Sequence, residues 1–218
     1  QRIFDTVPMA DYIKNTVIFA GGATILAVLF DSMTGYAFAR LNFKGKNILF
    51  VLVLITMMVP FQVMMIPLFL ESNFLGLLDT YAGLILPKAT SAFGIFMMRS
   101  YFAALPKDLE EAARVDGMSE FGIFWKIMFP LVLPGTLTLA IFHLMQNWND
   151  LLYPLMMTSS TRMRTLSAGL ALFVGEHATT YYGPQLAGAL LSVLPLLIIY
   201  IFFQKYFIAS VATSGMKD

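Results

Sequence analysis

The sequence predicts an all-α polytopic transmembrane helix bundle that carries one cytoplasmic helix–turn–helix segment. Of its 218 residues, 58% are hydrophobic and 12% are charged, whereas a soluble domain has about 45–50% apolar and about 25% charged residues. Five apolar runs reach the roughly 20 residues that a helix needs to cross a bilayer. Between two of these runs lies a charged, amphipathic stretch, residues 106–134, which we call the elbow.

Composition also excludes several classes of function. The net charge of +1 means that bulk charge does not indicate a nucleic-acid partner. The absence of cysteine excludes disulfides, thiolate metal sites and a cysteine nucleophile. Two isolated histidines, without an HExxH or GxSxG pattern, predict neither a metal site nor a catalytic site.

A single transmembrane domain, residues 1–218, accounts for the whole chain in this prediction. Its spans are expected at about 16–39, 48–70, 81–102, 131–157 and 184–208. Prolines interrupt several of them, which a bundle tolerates because neighbouring groups bond the freed carbonyls.

The loop after the first span is basic, with Arg40, Lys44 and Lys46, so the positive-inside rule places it in the cytoplasm. Alternation then places the loop 103–130 in the cytoplasm and residues 158–183 outside. An odd number of spans places the start of the chain outside, so we expect a first transmembrane helix to be absent from this sequence.

The first half of the elbow predicts a short, exposed helix. Asp108 and Glu111 have the three-residue spacing of a capping box, and Glu110 and Arg114 are spaced i,i+4. Gly117 is expected just beyond the helix, in a left-handed conformation. The residues that share another face are Leu109, Ala112, Ala113 and Asp116. The two alanines on that face permit close approach by another surface.

The second half of the elbow predicts another helix, with Ser119 as its N-cap. The residues on its amphipathic face are Phe121, Phe124, Trp125, Met128 and Phe129. That face is expected to pack on the bundle, and Pro130 and Pro134 bend the chain into the fourth span. The alternative is an ordinary interfacial loop whose aromatic rings touch lipid headgroups, and periodicity does not choose between the two.

Six elbow residues follow the spacing Glu-Ala-Ala, three residues, Gly, nine residues, Ile, two residues, Pro. They are Glu111, Ala112, Ala113, Gly117, Ile127 and Pro130. This pattern resembles the EAA motif of ABC importer permeases, the binding-protein-dependent transport inner-membrane components with the MetI-like fold. Further segments resemble its carbohydrate branch, maltose-permease type: GYAFARLNFKG at 35–45, LGLLDTYAGLILP at 75–87, WNDLLYPL at 148–155 and ATSGMKD at 212–218.

The resemblance implies a permease subunit in the inner membrane of a bacterial or archaeal cell. The helix at 106–116 would dock in a groove of a cytoplasmic ATPase dimer, with Glu111 facing a basic residue there. The implied coupling residues are Glu111, Ala112, Ala113, Asp116, Gly117, Ile127 and Pro130. A second permease subunit would form a heterodimer with this chain, and an external binding protein would deliver substrate.

The chain is not expected to be an enzyme or to bind a cofactor. It contains no GxxxxGK[ST] pattern, the glycine-rich loop that cradles nucleotide phosphates. ATP and Mg²⁺ would be bound by the partner ATPase, and the resemblance implies that its closure switches the permease between outward and inward access.

Polar residues within predicted spans are candidates for the substrate pathway, since a charge near the bilayer centre costs about 2.5–3.5 kcal/mol or more. The candidates are Asn147, Trp148, Asn149, Asp150 and Lys88. Interhelical hydrogen bonding is the equally weighted alternative for the first four. Snorkelling is favoured for Lys88 over pairing with Asp150 or lining the cavity. Asp31 and His143 are expected to face the bundle.

Two other classes of function compete with the importer permease. A secondary transporter would need coupling-ion sites and usually internal repeats, and no clear repeat relates the two halves. An intramembrane enzyme would need a nucleophile–base pair or metal ligands, and this sequence offers no candidate pattern for either. Sugar or oligosaccharide is the expected substrate; glycerol phosphate remains open, and polyamine is less favoured because it leaves the carbohydrate-type segments unexplained.

Overall fold

A computed structural model describes residues 8–176 and, beyond them, 186, 188–195, 197, 198 and 201. Every regular element in these residues is helical, which confirms the all-α prediction. The helices are α1 (Met9–Arg40), α2 (Lys46–Thr56), α3 (Phe61–Phe74), α4 (Tyr81–Ile85), α5 (Ala92–Ala103), α6 (Asp108–Val115), α7 (Glu120–Ile123), α8 (Phe129–Leu131), α9 (Leu133–Trp148), α10 (Leu152–Met157) and α11 (Leu166–Glu176). Between these helices lie two short 3₁₀ turns, Leu86–Lys88 and Thr161–Met163, and one π-helical turn, Phe124–Met128.

Within the described residues, α1 alone is long and apolar enough to cross a membrane without a break. Three pairs of consecutive segments reach that length and hydropathy only when each pair counts as one bent span. They are α2 with α3, Tyr81–Lys88 with α5, and Glu120–Leu131 with α9. The predicted spans at 48–70, 81–102 and 131–157 are therefore each divided among shorter helices.

Proline explains where some of these breaks fall. The residue before a proline is disfavoured in helical conformation, and α2 ends at Thr56, shortly before Pro60. Pro87 lies in the 3₁₀ turn that follows α4. The fifth predicted span, 184–208, lies in large part outside the described residues, and the tail 212–218 entirely so.

The chain divides into two compact units, so the single domain of 1–218 stays a prediction. The first unit comprises residues 1–24, 61–88 and 142–205. Its principal core cluster consists of Phe19, Ala23, Leu84, Tyr153 and Met157. The Phe19 and Tyr153 rings lie 5.9 Å apart, close enough for a favourable aromatic contact beyond simple burial.

The second unit comprises residues 25–60, 89–141 and 206–218. Its principal core cluster consists of Tyr36, Met98, Phe102, Ala113, Ile123, Phe124, Met128, Val132 and Leu139. Residues of α1, α5 and the elbow therefore share one core. This unit contains the whole basic loop after α1 and the whole elbow, so it positions the candidate coupling site.

Candidate functional site

The N-terminus of α6 lacks the expected capping box. Helix α6 begins at Asp108, its N-cap is Lys107, and no side chain caps it. The backbone N–H groups of Glu110 and Glu111 instead donate to the Lys107 carbonyl, at 3.0 and 3.1 Å. Asp108 lies one residue too late to cap, and its carboxylate stands in the first turn, where the helix dipole favours negative charge.

Gly117 ends α6 as predicted. Its φ is +77°, a left-handed conformation that costs other residues about 1–2 kcal/mol. The Gly117 N–H donates to the Arg114 carbonyl and the Met118 N–H to the Ala113 carbonyl, each at 3.0 Å. These two bonds form a Schellman motif, which fixes the direction in which the chain leaves α6.

A buried ion pair joins α6 to the end of α1. Arg40 and Glu110 side chains are each 4% exposed, and Arg40 Nε lies 3.0 Å from Glu110 Oε1. The Nε–H itself donates to the Phe102 carbonyl at 2.9 Å, and Nη2 donates to the Phe102 and Leu105 carbonyls. Glu110 thus contributes charge to a guanidinium whose hydrogen bonds go mainly to the backbone.

Arg114 links the two halves of the elbow. Its guanidinium contacts Glu110 at 3.2 Å and Glu120 at 2.7 Å, and Glu120 also accepts a hydrogen bond from the Tyr36 hydroxyl at 3.1 Å. Hydrogen bonding from Arg114 lowers the pKa of Glu120 despite partial burial. A lowered folded pKa means that this contact stabilises at neutral pH and is lost only as acid protonates Glu120.

The rest of α6 presents its side chains to two sides. Ala113 is 4% exposed and packs in the core of the second unit, whereas Ala112 and Glu111 are exposed. The prediction that both alanines share an approachable face is therefore wrong. Consecutive helical residues are 100° apart, so one alanine packs inward while the other stays outside together with Glu111.

Ser119 caps the second half of the elbow as predicted, accepting a hydrogen bond from the Gly122 N–H at 3.2 Å. Most of the expected aromatic face packs inward: Phe124 and Met128 are buried, and Trp125 and Phe129 lie against the same core. Phe121 is 64% exposed, which corrects its assignment to that face.

A π-helical turn precedes Pro130. The Phe129 N–H donates to the Phe124 carbonyl five residues earlier. In a regular α-helix, Pro130 could not donate to the carbonyl four residues before it, and its ring would clash with that carbonyl. The wider π-helical turn moves the preceding carbonyls away from the regular α-helical position and so accommodates the ring. Ile127 is half-buried against the core, and Pro130 is exposed.

Lys88 and Asp150 form an ion pair in the first unit, with Nζ 2.8 Å from Oδ2. The Lys88 ammonium also lies 5.0 Å from the Phe61 ring centre and 4.7 Å from that of Tyr153. The side chains of the pair are 24% and 16% exposed. Of the three placements considered for Lys88, the structure shows pairing with Asp150, and the favoured snorkelling is wrong.

The other pathway candidates do not converge on one point. Asn147 is 3% exposed, and its Nδ2 has no hydrogen-bond partner among the described residues. Trp148 is buried and donates to the Ser192 carbonyl at 3.1 Å. Asn149 lies just beyond the end of α9, is exposed, and donates to the Met145 carbonyl of that helix. Because these residues follow one another at the end of α9 and just beyond it, their side chains project in different directions.

Asp31 has a structural environment that the sequence did not predict in detail. It is 0% exposed, and its carboxylate accepts hydrogen bonds from the Thr90 hydroxyl at 2.6 Å, the Ser91 N–H at 2.9 Å and the Ser91 hydroxyl at 3.1 Å. Ser91 is in turn the N-cap of α5. Asp31 faces the bundle as expected, and it anchors the start of α5.

Sequence reasoning missed the pairing of Arg40 with Glu110. In the sequence, Arg40 indicates only that the loop after α1 is basic, and the i,i+4 spacing of Glu110 predicts Arg114 as its partner. A signal did exist, because Glu110 precedes Ala113 by three residues and shares the inward side of α6.

The chain matches the family described as "Binding-protein-dependent transport system inner membrane component" over residues 31–213. It is 43% identical over 203 residues to the arabinooligosaccharides transport system permease protein AraQ of Bacillus subtilis (strain 168), covering 93% of this chain and 72% of the relative. It is 33% identical over 214 residues to the trehalose/maltose transport system permease protein MalG of Thermococcus litoralis, covering 97% and 77%.

A solved structure agrees with these sequence matches. A chain of a bacterial ABC transporter involved in the import of the acidic polysaccharide alginate superimposes with a TM-score of 0.82 at 27% identity, covering 94% of this chain and 78% of that chain. The family is an inner-membrane permease component, separate from the ATPase subunit, and in general implies a partner permease, an ATPase and a substrate-binding protein. This chain therefore belongs to the binding-protein-dependent transport inner-membrane components, as a permease subunit of an ATP-binding-cassette importer.

Proposed function

We propose that this permease subunit moves a sugar or oligosaccharide into the cytoplasm, in a heterodimer with a second permease subunit. The proposal rests on the names of its relatives, which include arabinooligosaccharide, trehalose/maltose and lactose permeases. ATP and Mg²⁺ are bound by an associated ATPase dimer, and an external binding protein delivers the substrate.

Helix α6 is the proposed coupling helix. The observation that supports this most is the opposite placement of two neighbouring carboxylates: Glu110 is buried against Arg40, and Glu111 is exposed. A helix that is fixed to the bundle through Glu110, and that exposes Glu111 to a soluble partner, can transmit force from that partner to the bundle. Gly117 and Asp116 at its end, and Ile127 and Pro130 in the second half of the elbow, set the direction of that transmission.

The proposed mechanism is alternating access biased by the ATPase. Closure of the ATPase dimer changes how tightly it binds α6, and that difference in binding free energy is what shifts the permease between its two states. Since α6 shares its core with α1 and α5, a displacement of α6 requires those helices to repack or to move with it.

Replacing Glu111 with alanine tests this coupling. We expect transport to fall by about tenfold or more, in line with coupling free energies of 1–3 kcal/mol, while the chain inserts and assembles normally because the side chain is exposed. Transport and ATP hydrolysis by the reconstituted complex are to be measured together. Glu71→Ala, which removes an exposed carboxylate of α3, is the matched control. Full, ATP-coupled transport by Glu111→Ala would contradict the proposal.

The ion pair of Lys88 and Asp150 is the proposed part of the substrate pathway with the clearest chemistry. It combines hydrogen-bonding groups with the faces of Phe61 and Tyr153, which is the combination that a sugar ring requires. Asn147 and Trp148 are secondary candidates, and Asn149 contributes least because its side-chain amide is bonded to the Met145 carbonyl of α9.

A pair of variants separates a pathway role from a structural one. Asp150→Leu alone leaves Lys88 partly buried without its counter-charge, so we expect a stability loss of roughly 1–3 kcal/mol, discounted for partial exposure. Adding Lys88→Met removes the unpaired charge and restores the thermal midpoint. If the pair serves the pathway, the double variant still transports about tenfold more slowly; recovery of transport together with stability assigns the pair to structure alone.

A further inference from the structure

A cavity of about 930 Å³ borders the start of α2 in the second unit. The loop after α1, the first turn of α2 and one side chain of α5 line it. Three of its lining residues are basic: Lys44, Lys46 and Arg99. The coupling proposal uses none of these residues, so the cavity needs its own explanation.

The positive charges in this cavity are positioned but not neutralised. The ion pairs of the described residues involve Arg40, Lys88 and Arg114, and none involves the three cavity residues. Lys46 Nζ donates to the Leu41 carbonyl at 2.8 Å, and the Arg99 guanidinium lies 4.1 Å over the Phe50 ring. Both contacts hold a cation in place without supplying a negative charge.

The backbone adds further donors at the same place. Gly45 is the N-cap of α2, with a φ of +81° and no side-chain cap bond. In the first turn of any helix the N–H groups have no intrahelical acceptor, and here those of Asn47 and Ile48 belong to residues that line the cavity. Helix N-termini favour anions, so backbone and side chains together have the chemistry that an anion requires.

An apolar surface begins where the charge ends. Along α2, Ile48 is 70% exposed, Leu49 48%, and Val51 and Leu52 53% each. The basic loop is also the one that the positive-inside rule places at the cytoplasmic surface. Basic groups directly beside an exposed apolar helix match the chemistry of an anionic phospholipid, which is a charged headgroup joined to hydrocarbon chains.

We propose that this cavity binds the phosphate headgroup of an anionic phospholipid of the cytoplasmic leaflet, with its acyl chains along the exposed face of α2. The site goes beyond transport itself and concerns how the permease is held in its membrane. Each basic residue near an anionic membrane surface contributes about 1 kcal/mol, or about fivefold in affinity.

The test uses the assembled importer purified in detergent and titrated with short-chain phosphatidylglycerol, with binding followed by native mass spectrometry. Lys44→Gln is expected to weaken binding about fivefold, and Lys44→Gln with Arg99→Gln about twenty-five-fold. Lys46 is left in place because it holds the loop. Lys14→Gln, at an exposed lysine of the first unit, is the control and is expected to bind as the unaltered protein does.

Three outcomes overturn the proposal. Equal binding of phosphatidylcholine shows that the headgroup charge is not recognised. Displacement of phosphatidylglycerol by inorganic phosphate at comparable concentration assigns the cavity to a free anion. Unchanged affinity of Lys44→Gln places the lipid elsewhere. Lys44 is exposed, so this single variant is expected to fold, and it decides the question if the double variant does not.

Discussion

Replacing Glu110 with alanine is expected to destabilise the protein by roughly 3–5 kcal/mol, the usual cost of removing one partner of a buried ion pair. The Arg40 side chain, which is 4% exposed in the intact pair, would keep its backbone hydrogen bonds but lose its counter-charge. Arg114 would lose its contact with Glu110 as well. We therefore expect the link between the end of α1 and α6 to loosen before the rest of the second unit unfolds.

Thermal unfolding of the assembled complex, together with limited proteolysis of the elbow, measures this effect. Glu111→Ala is the matched control, because it removes the same chemical group one residue along the same helix from an exposed position. Surface substitutions of this kind usually change stability by less than about 0.5 kcal/mol. Equal stability of the two variants would show that the Arg40–Glu110 pair does not hold α6.

The two variants also separate anchoring from docking. Glu110→Ala is expected to lower both stability and transport, whereas Glu111→Ala is expected to lower transport alone. If the coupling helix works as a rigid lever, loosening its attachment impairs transport even when the ATPase still binds. A Glu110→Ala protein that unfolds more easily yet transports normally would mean that α6 needs no rigid link to α1.

The sequence predicts the elbow well where local rules decide the structure. Gly117 ends α6 and Ser119 begins the next helix because turn and cap chemistry depend on neighbouring residues. The capping box failed because the motif depends on where the helix begins, and α6 begins one residue earlier than that motif requires, with Lys107 rather than Asp108 as its N-cap. Helix termini are the features that a single sequence defines least sharply.

The sequence predicts poorly what depends on contacts between distant residues. Arg40 and Glu110 are 70 positions apart, and no periodicity links them. Lys88 illustrates the same limit. Its position in an apolar span favours snorkelling of the ammonium toward the membrane surface, and only the fold places Asp150 and two aromatic rings beside it. For Asp31, burial followed from the sequence, but its bonds to Thr90 and Ser91 did not.

The contact of Asp31 with Gly94 supplies the second large effect. Gly94 lies so close to the Asp31 carboxylate that a Cβ would overlap it, and Ser91 Oγ would be 2.9 Å from that Cβ. Gly94→Ala should therefore displace either Asp31 or the first turn of α5. We expect a cost of several kcal/mol, since repacking here breaks hydrogen bonds to a fully buried carboxylate.

Asp31→Ala is expected to cost about 3 kcal/mol or more, because the Thr90 hydroxyl and the Ser91 N–H lose a charged acceptor. The same change removes the oxygen that a Cβ at position 94 would meet. The double variant should accordingly be more stable than the sum of the two single costs predicts, by about 1–3 kcal/mol.

This coupling is obtained from the thermal midpoints, in one detergent, of the unaltered protein, the two single variants and the double variant. Gly188→Ala is the control, because a Cβ at this helical glycine would meet Leu170 and none of the groups around Asp31. Its cost should add to that of Asp31→Ala without coupling, since the two positions share no partner. Strict additivity of Asp31→Ala and Gly94→Ala would show that the carboxylate does not occupy the space above Gly94. Coupling of the expected sign would establish that a buried charge in the middle of α1 requires glycine at the start of α5.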